Sequence, residues 1–227
     1  MHIGEYMRKI HIVYSLLVVT LLLVLEGSFE LTYIPKQIAR IGLFFIGPTL
    51  IIYFVDKSTL LKEFKLGKPT FQEMKIALIS SVVIFIGTFG GYYVLRFMFD
   101  PKTTIDGLEA IGVTVYNVLY WGLYMSIINS LVEEFFFRGF FYNSLKTNKT
   151  KYAVIYSGAL FSIYHGLLFY SIFAWYTVIF TLFGLFLVGV FLAYINRFGK
   201  GFMNSYSIHI FANIACVLVL LHMYAQL

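Results

Sequence analysis

Charge is scarce in this chain. Asp, Glu, Lys and Arg make up only 12% of its 227 residues, against 60% hydrophobic residues and a mean hydropathy of +0.83. A water-soluble domain carries about 25% charged residues and about 45–50% apolar ones, so an ordinary soluble globule is excluded. Cysteine is scarcer still. The single Cys216 excludes an intrachain disulfide and any cysteine-cluster metal site. Its neighbours Ile214, Ala215, Val217 and Leu218 predict a buried, inert thiol. The net charge of +6 comes from basic residues scattered over short loops, without the dense patch that nucleic acid requires, so no nucleic-acid partner is expected. No internal repeat, low-complexity segment or HExxH zinc helix is present.

What the sequence does have is long apolar runs, each near the roughly 20 residues that a hydrocarbon layer about 30 Å thick demands of a crossing helix. Seven runs are read, at Ile10–Leu25, Ile38–Val55, Ile76–Phe99, Ile111–Phe141, Tyr152–Tyr170, Ile172–Ile195 and Ser205–Tyr224. The fold class expected is all-α: a polytopic transmembrane helix bundle of about seven spans (six to eight). It forms a single integral membrane domain over 1–227, with the chemistry in 111–224. The fourth and fifth runs are long enough to hide a kink or an interfacial turn, and Pro48 is expected to bend the second. Small residues at Gly87, Gly91, Gly184 and Gly189 are candidate points of close helix approach. The first run follows Arg8 and Lys9 and lacks a small-residue cleavage site, so it is expected to remain as an anchor.

Basic residues orient the bundle. Arg8, Lys9, Lys57, Lys62, Lys65, Lys68, Lys75, Lys146, Lys149, Lys151, Arg197 and Lys200 fall on one side of a seven-span chain. The other side has Lys36, Arg40, Arg96 and Lys102. The positive-inside rule then places the amino terminus in the cytoplasm and the carboxyl terminus outside.

Ionisable side chains inside such runs cost several kcal/mol on the milder scales, so they are candidates for function. The fourth run carries Glu133-Glu134-Phe135-Phe136-Phe137-Arg138-Gly139. Glu134 and Arg138 are four apart and share a helix face, which predicts a structural ion pair. Glu133 lies about 100° round the helix and is free to face a cavity as a candidate general base. The fifth run carries His165, with Phe161 one turn earlier walling the same face. The seventh places His209 and Asn213 on one face, where both can donate to an oxyanion, or His209 can bind a metal. Counted from the cytoplasmic basic residues at ~1.5 Å per residue, the three clusters lie within a few turns of one depth.

A carboxylate, two imidazoles and an amide around one cavity can activate water toward a peptide bond. In a metal-free version Glu133 is the base, His165 holds the water, and His209 with Asn213 stabilises the oxyanion. In the other, His165, His209 and Glu133 bind zinc, which activates the water. Sequence leaves both open.

The ordered trio Glu133-Glu134-xxx-Arg138, Phe161-xxx-His165 and His209-xxx-Asn213, with Gly139 and Ser207-Ile208 beside it, resembles the motifs of the CPBP intramembrane proteases, the CAAX protease and bacteriocin-processing family. The resemblance covers about residues 111–224. It implies catalytic Glu133, His165, His209 and Asn213, supported by Glu134, Arg138 and Phe161. It also implies hydrolysis of a membrane-associated peptide or protein in a bacterial cytoplasmic membrane, in roles such as bacteriocin or pheromone processing, self-immunity or surface-protein regulation. The first 110 residues resemble nothing specific. Three other readings stand beside it: a non-catalytic binding or regulatory partner with the same fold, a haem protein using His165 and His209, and a proton-coupled transporter. The oligomeric state is not legible.

Overall fold

The computed structural model describes residues 3–28, 33–55, 70–145, 150–170, 173–198 and 201–227. Among them there is no strand, and these described residues form a bundle of eight helices. These are α1 (Ile3–Ser28), α2 (33–55), α3 (Phe71–Leu95), α4 (Pro101–Ala110), α5 (118–145), α6 (Thr150–Tyr170), α7 (Trp175–Ile195) and α8 (Met203–Tyr224). Six of them, all but α4 and α5, are long and apolar enough to cross a membrane. The bundle is polytopic and transmembrane, as composition indicated.

The helices are built inside out, as lipid allows. On α3 the buried side chains are Ser80, Ser81 and Tyr92, while Leu78, Ile79, Val82, Val83 and Ile86 face outward. Lipid tails are as apolar as leucine, so close packing and interhelical hydrogen bonds hold helices together there. Serine and threonine hydroxyls supply many of these bonds. Ser157 Oγ donates to the Phe137 carbonyl at 3.0 Å, Ser162 Oγ to that of Leu182 at 2.7 Å, and Thr177 Oγ1 to that of Met98 at 2.7 Å. The same logic corrects Cys216. Cys216 is exposed on α8 with Ile214 and Leu218, while Ala215 between them is buried.

Helix boundaries follow local chemistry. Thr70 caps α3: Glu73 N donates to Thr70 Oγ1 at 3.2 Å, and Thr70 N donates to Glu73 Oε2 at 2.6 Å. Asp100-Pro101, just past the end of the third apolar run, begins α4, with Pro101 in the first turn and Asp100 accepting from Thr103 N at 2.9 Å. The Thr103 hydroxyl and amide hold the Asp100 carboxyl below its ordinary range. Helix α4 buries Thr104, Ile105 and Leu108, and the last two pack with Leu220 and Met223 of α8. The fourth run therefore does not start at Ile111. A turn through Gly112, at φ +89°, is closed by Asn117 Nδ2 donating to the Gly112 carbonyl at 2.8 Å, and the helix starts at Val118.

Helix α5 is the axis of the bundle. Every residue from Phe135 to Tyr142 is buried, and α1, α2, α6 and α8 pack around it. It contains two widened, five-residue-bonded stretches, Met125–Asn129 and Phe135–Tyr142. Such π-turns gather at functional sites. A third, Gly42–Ile46, precedes Pro48 on α2, where Gly47 N donates to the Gly42 carbonyl. Pro48 lacks an N–H, and its ring crowds the carbonyl four residues back; the wider turn meets both demands. Phe44 from that turn stacks on Phe136 of α5 with ring centroids 4.0 Å apart.

Of the small residues expected at close approaches, only Gly189 sits at one. A Cβ there would meet Gly158 Cα at 2.9 Å, and a Cβ on Gly158 would meet the Val190 amide nitrogen at 2.7 Å. Gly87, Gly91 and Gly184 have open space. Of the orienting basic residues, Lys57, Lys62, Lys65, Lys68, Lys146, Lys149 and Lys200 lie outside the described residues. Arg40, counted with the opposite side, is buried within α2.

Candidate active site

The three polar clusters meet. Glu133 projects from α5 between His165 of α6 and His209 of α8, its Oε2 lying 3.7 Å from His165 Nε2 and 3.9 Å from His209 Nε2. All three residues are buried. The expected ion pair is present as well, Arg138 Nη1 donating to Glu134 Oε1 at 2.9 Å. Arg138 Nη2 reaches across to the Gly189 carbonyl at 3.1 Å, and its guanidinium lies 4.5 Å over the Phe161 ring. The reach to Gly189 depends on the glycine-to-glycine contact that brings α7 against α6.

Each imidazole is held by Nδ1. His165 Nδ1 stands 2.8 Å from the Phe161 carbonyl, which can only accept, so this nitrogen carries a proton. His209 Nδ1 stands 2.8 Å from Glu134 Oε1, which fixes the same orientation. Both Nε2 atoms are left turned toward Glu133. Glu133 Oε1 is taken by Asn129 Nδ2 at 2.7 Å, while Oε2 accepts no hydrogen bond from the described residues. Glu133 Oε2 and the two Nε2 atoms thus converge on one point. Phe161 closes one wall, its ring 4.6 Å from that of His165 and 5.7 Å from that of His209.

Asn213 stands apart from this convergence. Its Nδ2 donates to the Met125 carbonyl and to Ser130 Oγ, both at 2.9 Å. The Met125 carbonyl belongs to the π-turn that carries Asn129, so Asn213 ties α8 to the segment of α5 just before Glu133. The amide expected to face an oxyanion is engaged here instead.

Zinc was the open alternative. Ligands about 2.0–2.1 Å from a tetrahedral ion lie about 3.4 Å from one another; the two Nε2–Oε2 separations of 3.7 and 3.9 Å are wider. Among the described residues, no three His, Cys, Asp or Glu side chains form a group that could hold a metal ion. As placed, the residues do not fit one.

Sequence reasoning missed the contribution of α2. Arg40, Gln37 and Asn129 are buried beside Glu133, with Arg40 Nη1 donating to Asn129 Oδ1 at 3.2 Å and to Gln37 Oε1 at 3.1 Å. The available signal was Asn129 itself, one helical turn before Glu133 in an apolar run.

A family model described as type II CAAX prenyl endopeptidase Rce1-like matches residues 115–215. Over these residues the chain is similar to the CAAX proteases. The matched segment contains Glu133, Glu134, Arg138, Phe161, His165, His209 and Asn213, so all three sequence motifs fall within it. Helices α1 to α4, including Arg40, lie outside the CAAX protease match. No curated protein and no solved structure matches the chain.

Proposed function

We propose that this protein is an intramembrane endopeptidase that hydrolyses a peptide bond of a membrane-associated peptide or protein, using water activated by Glu133 without a metal. The observation that carries the reading is the convergence of Glu133 Oε2 with the Nε2 atoms of His165 and His209, inside a segment similar to the CAAX proteases.

The chemistry follows from who can donate. A water in the convergence gives one proton toward Glu133 Oε2 and another toward His165 Nε2, which leaves its oxygen lone pair for the substrate carbonyl. On attack the O–H bond toward Glu133 breaks, the C–O bond forms, and Glu133 holds the proton. His209, carrying protons on both nitrogens, donates Nε2–H to the oxyanion; Glu134 at Nδ1 supports that charge, and Arg138 holds Glu134 in place. Collapse of the tetrahedral intermediate breaks the C–N bond, and Glu133 returns its proton to the leaving amine. Asn213 sets the register of α8 against α5, and it reaches the oxyanion only if its bonds to Met125 and Ser130 are exchanged.

The reading places the protein in a bacterial cytoplasmic membrane with its amino terminus cytoplasmic, acting in peptide maturation, self-immunity or surface-protein regulation. Comparing the processed peptides and surface proteins of cells carrying native or Glu133→Gln protein at equal levels tests it. Products that depend on native Glu133 support it; a phenotype that survives the substitution without such products favours a non-catalytic partner.

A further inference from the structure

Among the described residues, four Asp, Glu, Lys or Arg side chains are buried: Arg40, Glu133, Glu134 and Arg138. Two of the four are positive and two are negative. Their pairing is unequal. Arg138 touches Glu134 directly at 2.9 Å, whereas Arg40 makes no direct ion pair with a described residue. It reaches Glu133 through one intermediary. Arg40 Nη1 donates to Asn129 Oδ1 at 3.2 Å, and Asn129 Nδ2 donates to Glu133 Oε1 at 2.7 Å.

The chemistry of the two ends fixes the amide between them. Arginine only donates and a carboxylate only accepts, so Asn129 cannot be flipped without losing both bonds. Arg40 is itself held. Gln37 Oε1 accepts from Arg40 Nη1 at 3.1 Å and from Tyr124 Oη at 3.2 Å, and the guanidinium lies 5.4 Å over the Tyr164 ring. With Oε1 pinned from this side, Oε2 is the oxygen left facing the two imidazoles.

We infer that Arg40 is the counter-charge and positioning residue of Glu133, acting through Asn129, so that helix α2 completes the site from outside the matched segment. Removing the guanidinium frees the Asn129 amide to turn, releases Glu133 Oε1, and leaves the Glu133 carboxylate without its compensating charge. The kinetic side of this inference rests on Glu133 being the base; the electrostatic side does not.

The test is a double-mutant cycle on the thermal midpoint of the purified full-length protein in lipid vesicles, with no substrate. Arg40→Met and Glu133→Gln each lower Tm, because each strands the other's charge. The double variant recovers about 3 °C or more relative to the sum of the single shifts. If Arg40→Met folds only in the Glu133→Gln background, the coupling is equally demonstrated. Additive shifts, or failure to fold in both backgrounds, overturn the inference. In the active enzyme, Arg40→Met lowers kcat about 10- to 100-fold with KM near native, and Arg40→Lys recovers part of it; a raised KM at native kcat also overturns it. Coupled Tm shifts in a protein that cleaves nothing would reject the protease reading and keep this one. Additive shifts in an active protease would reject this one alone.

Discussion

His209 Nδ1 lies 2.8 Å from Glu134 Oε1, and this one bond decides what the other side of the ring can do. It commits Glu134 to two partners, since Oε1 also accepts from Arg138 at 2.9 Å. It also aims Nε2 at Glu133. The two adjacent glutamates thus divide the work by facing different ways from one helix: Glu134 orients an imidazole, while Glu133 shares its Oε2 with two.

The Glu134–Arg138 pair is fully buried, and removing one partner of such a pair costs about 3–5 kcal/mol because the other charge is left behind. Glu134→Gln and Arg138→Met are each expected to lower folded yield sharply, and the double substitution to restore part of it. Yield and melting temperature in detergent check this. Full yield from either single variant would show that the pair is not structural.

The α6–α7 contact is expected to be intolerant of a methyl group. Gly158→Ala would put a Cβ 2.7 Å from a backbone nitrogen. Gly189→Ala would strike the Gly158 backbone and displace the carbonyl that Arg138 holds at 3.1 Å. Both should lower Tm and activity, whereas Gly87→Ala and Gly184→Ala, which meet open space, should leave Tm within about 2 °C of native. The four melting curves together are the check.

Removing metal is expected to leave cleavage intact. Protein dialysed against a strong chelator and assayed in metal-free buffer should keep its native rate, with elemental analysis showing zinc well below one atom per chain. Loss of activity restored by zinc would show that the three side chains close further around an ion than their 3.7 and 3.9 Å separations indicate.

Much of this site was legible because lipid makes polar residues conspicuous. In a chain with so little charge, Glu133, Glu134, Arg138, His165 and His209 stand out against apolar runs, and helical spacing alone pairs Glu134 with Arg138. Arg40 was not legible, because a basic residue near the end of an apolar run looks the same whether it snorkels to the surface or turns inward. Helix α4 was missed because Asp100-Pro101 stops one helix and starts another with the same two residues. The true register of α5 was hidden too: its π-turns shift every following side chain around the axis, and no 3.6-residue periodicity reports that. Glycine positions were read correctly only at Gly189, since a small residue permits close approach without showing which neighbour comes.

A count of crossings checks whether α5 spans. Its polar residues keep it from standing out by hydropathy, yet it lies at the centre of the bundle. With α5 crossing, reporters fused to the two ends of the chain are expected on opposite sides of the membrane, the amino-terminal one in the cytoplasm. Reporters on the same side would mean an even number of crossings.

The central claim is that Glu133, between two imidazoles, takes a proton from water that attacks a peptide bond. Purified protein in lipid vesicles, given its substrate in water enriched in oxygen-18, tests this most directly by mass spectrometry of the new carboxyl termini. The expected result is one heavy oxygen per cleavage for the native protein, with the rate falling by about 10²–10⁴ in Glu133→Gln and also falling strongly in His165→Ala and His209→Ala. A Glu133→Gln variant that cleaves at the native rate would contradict it.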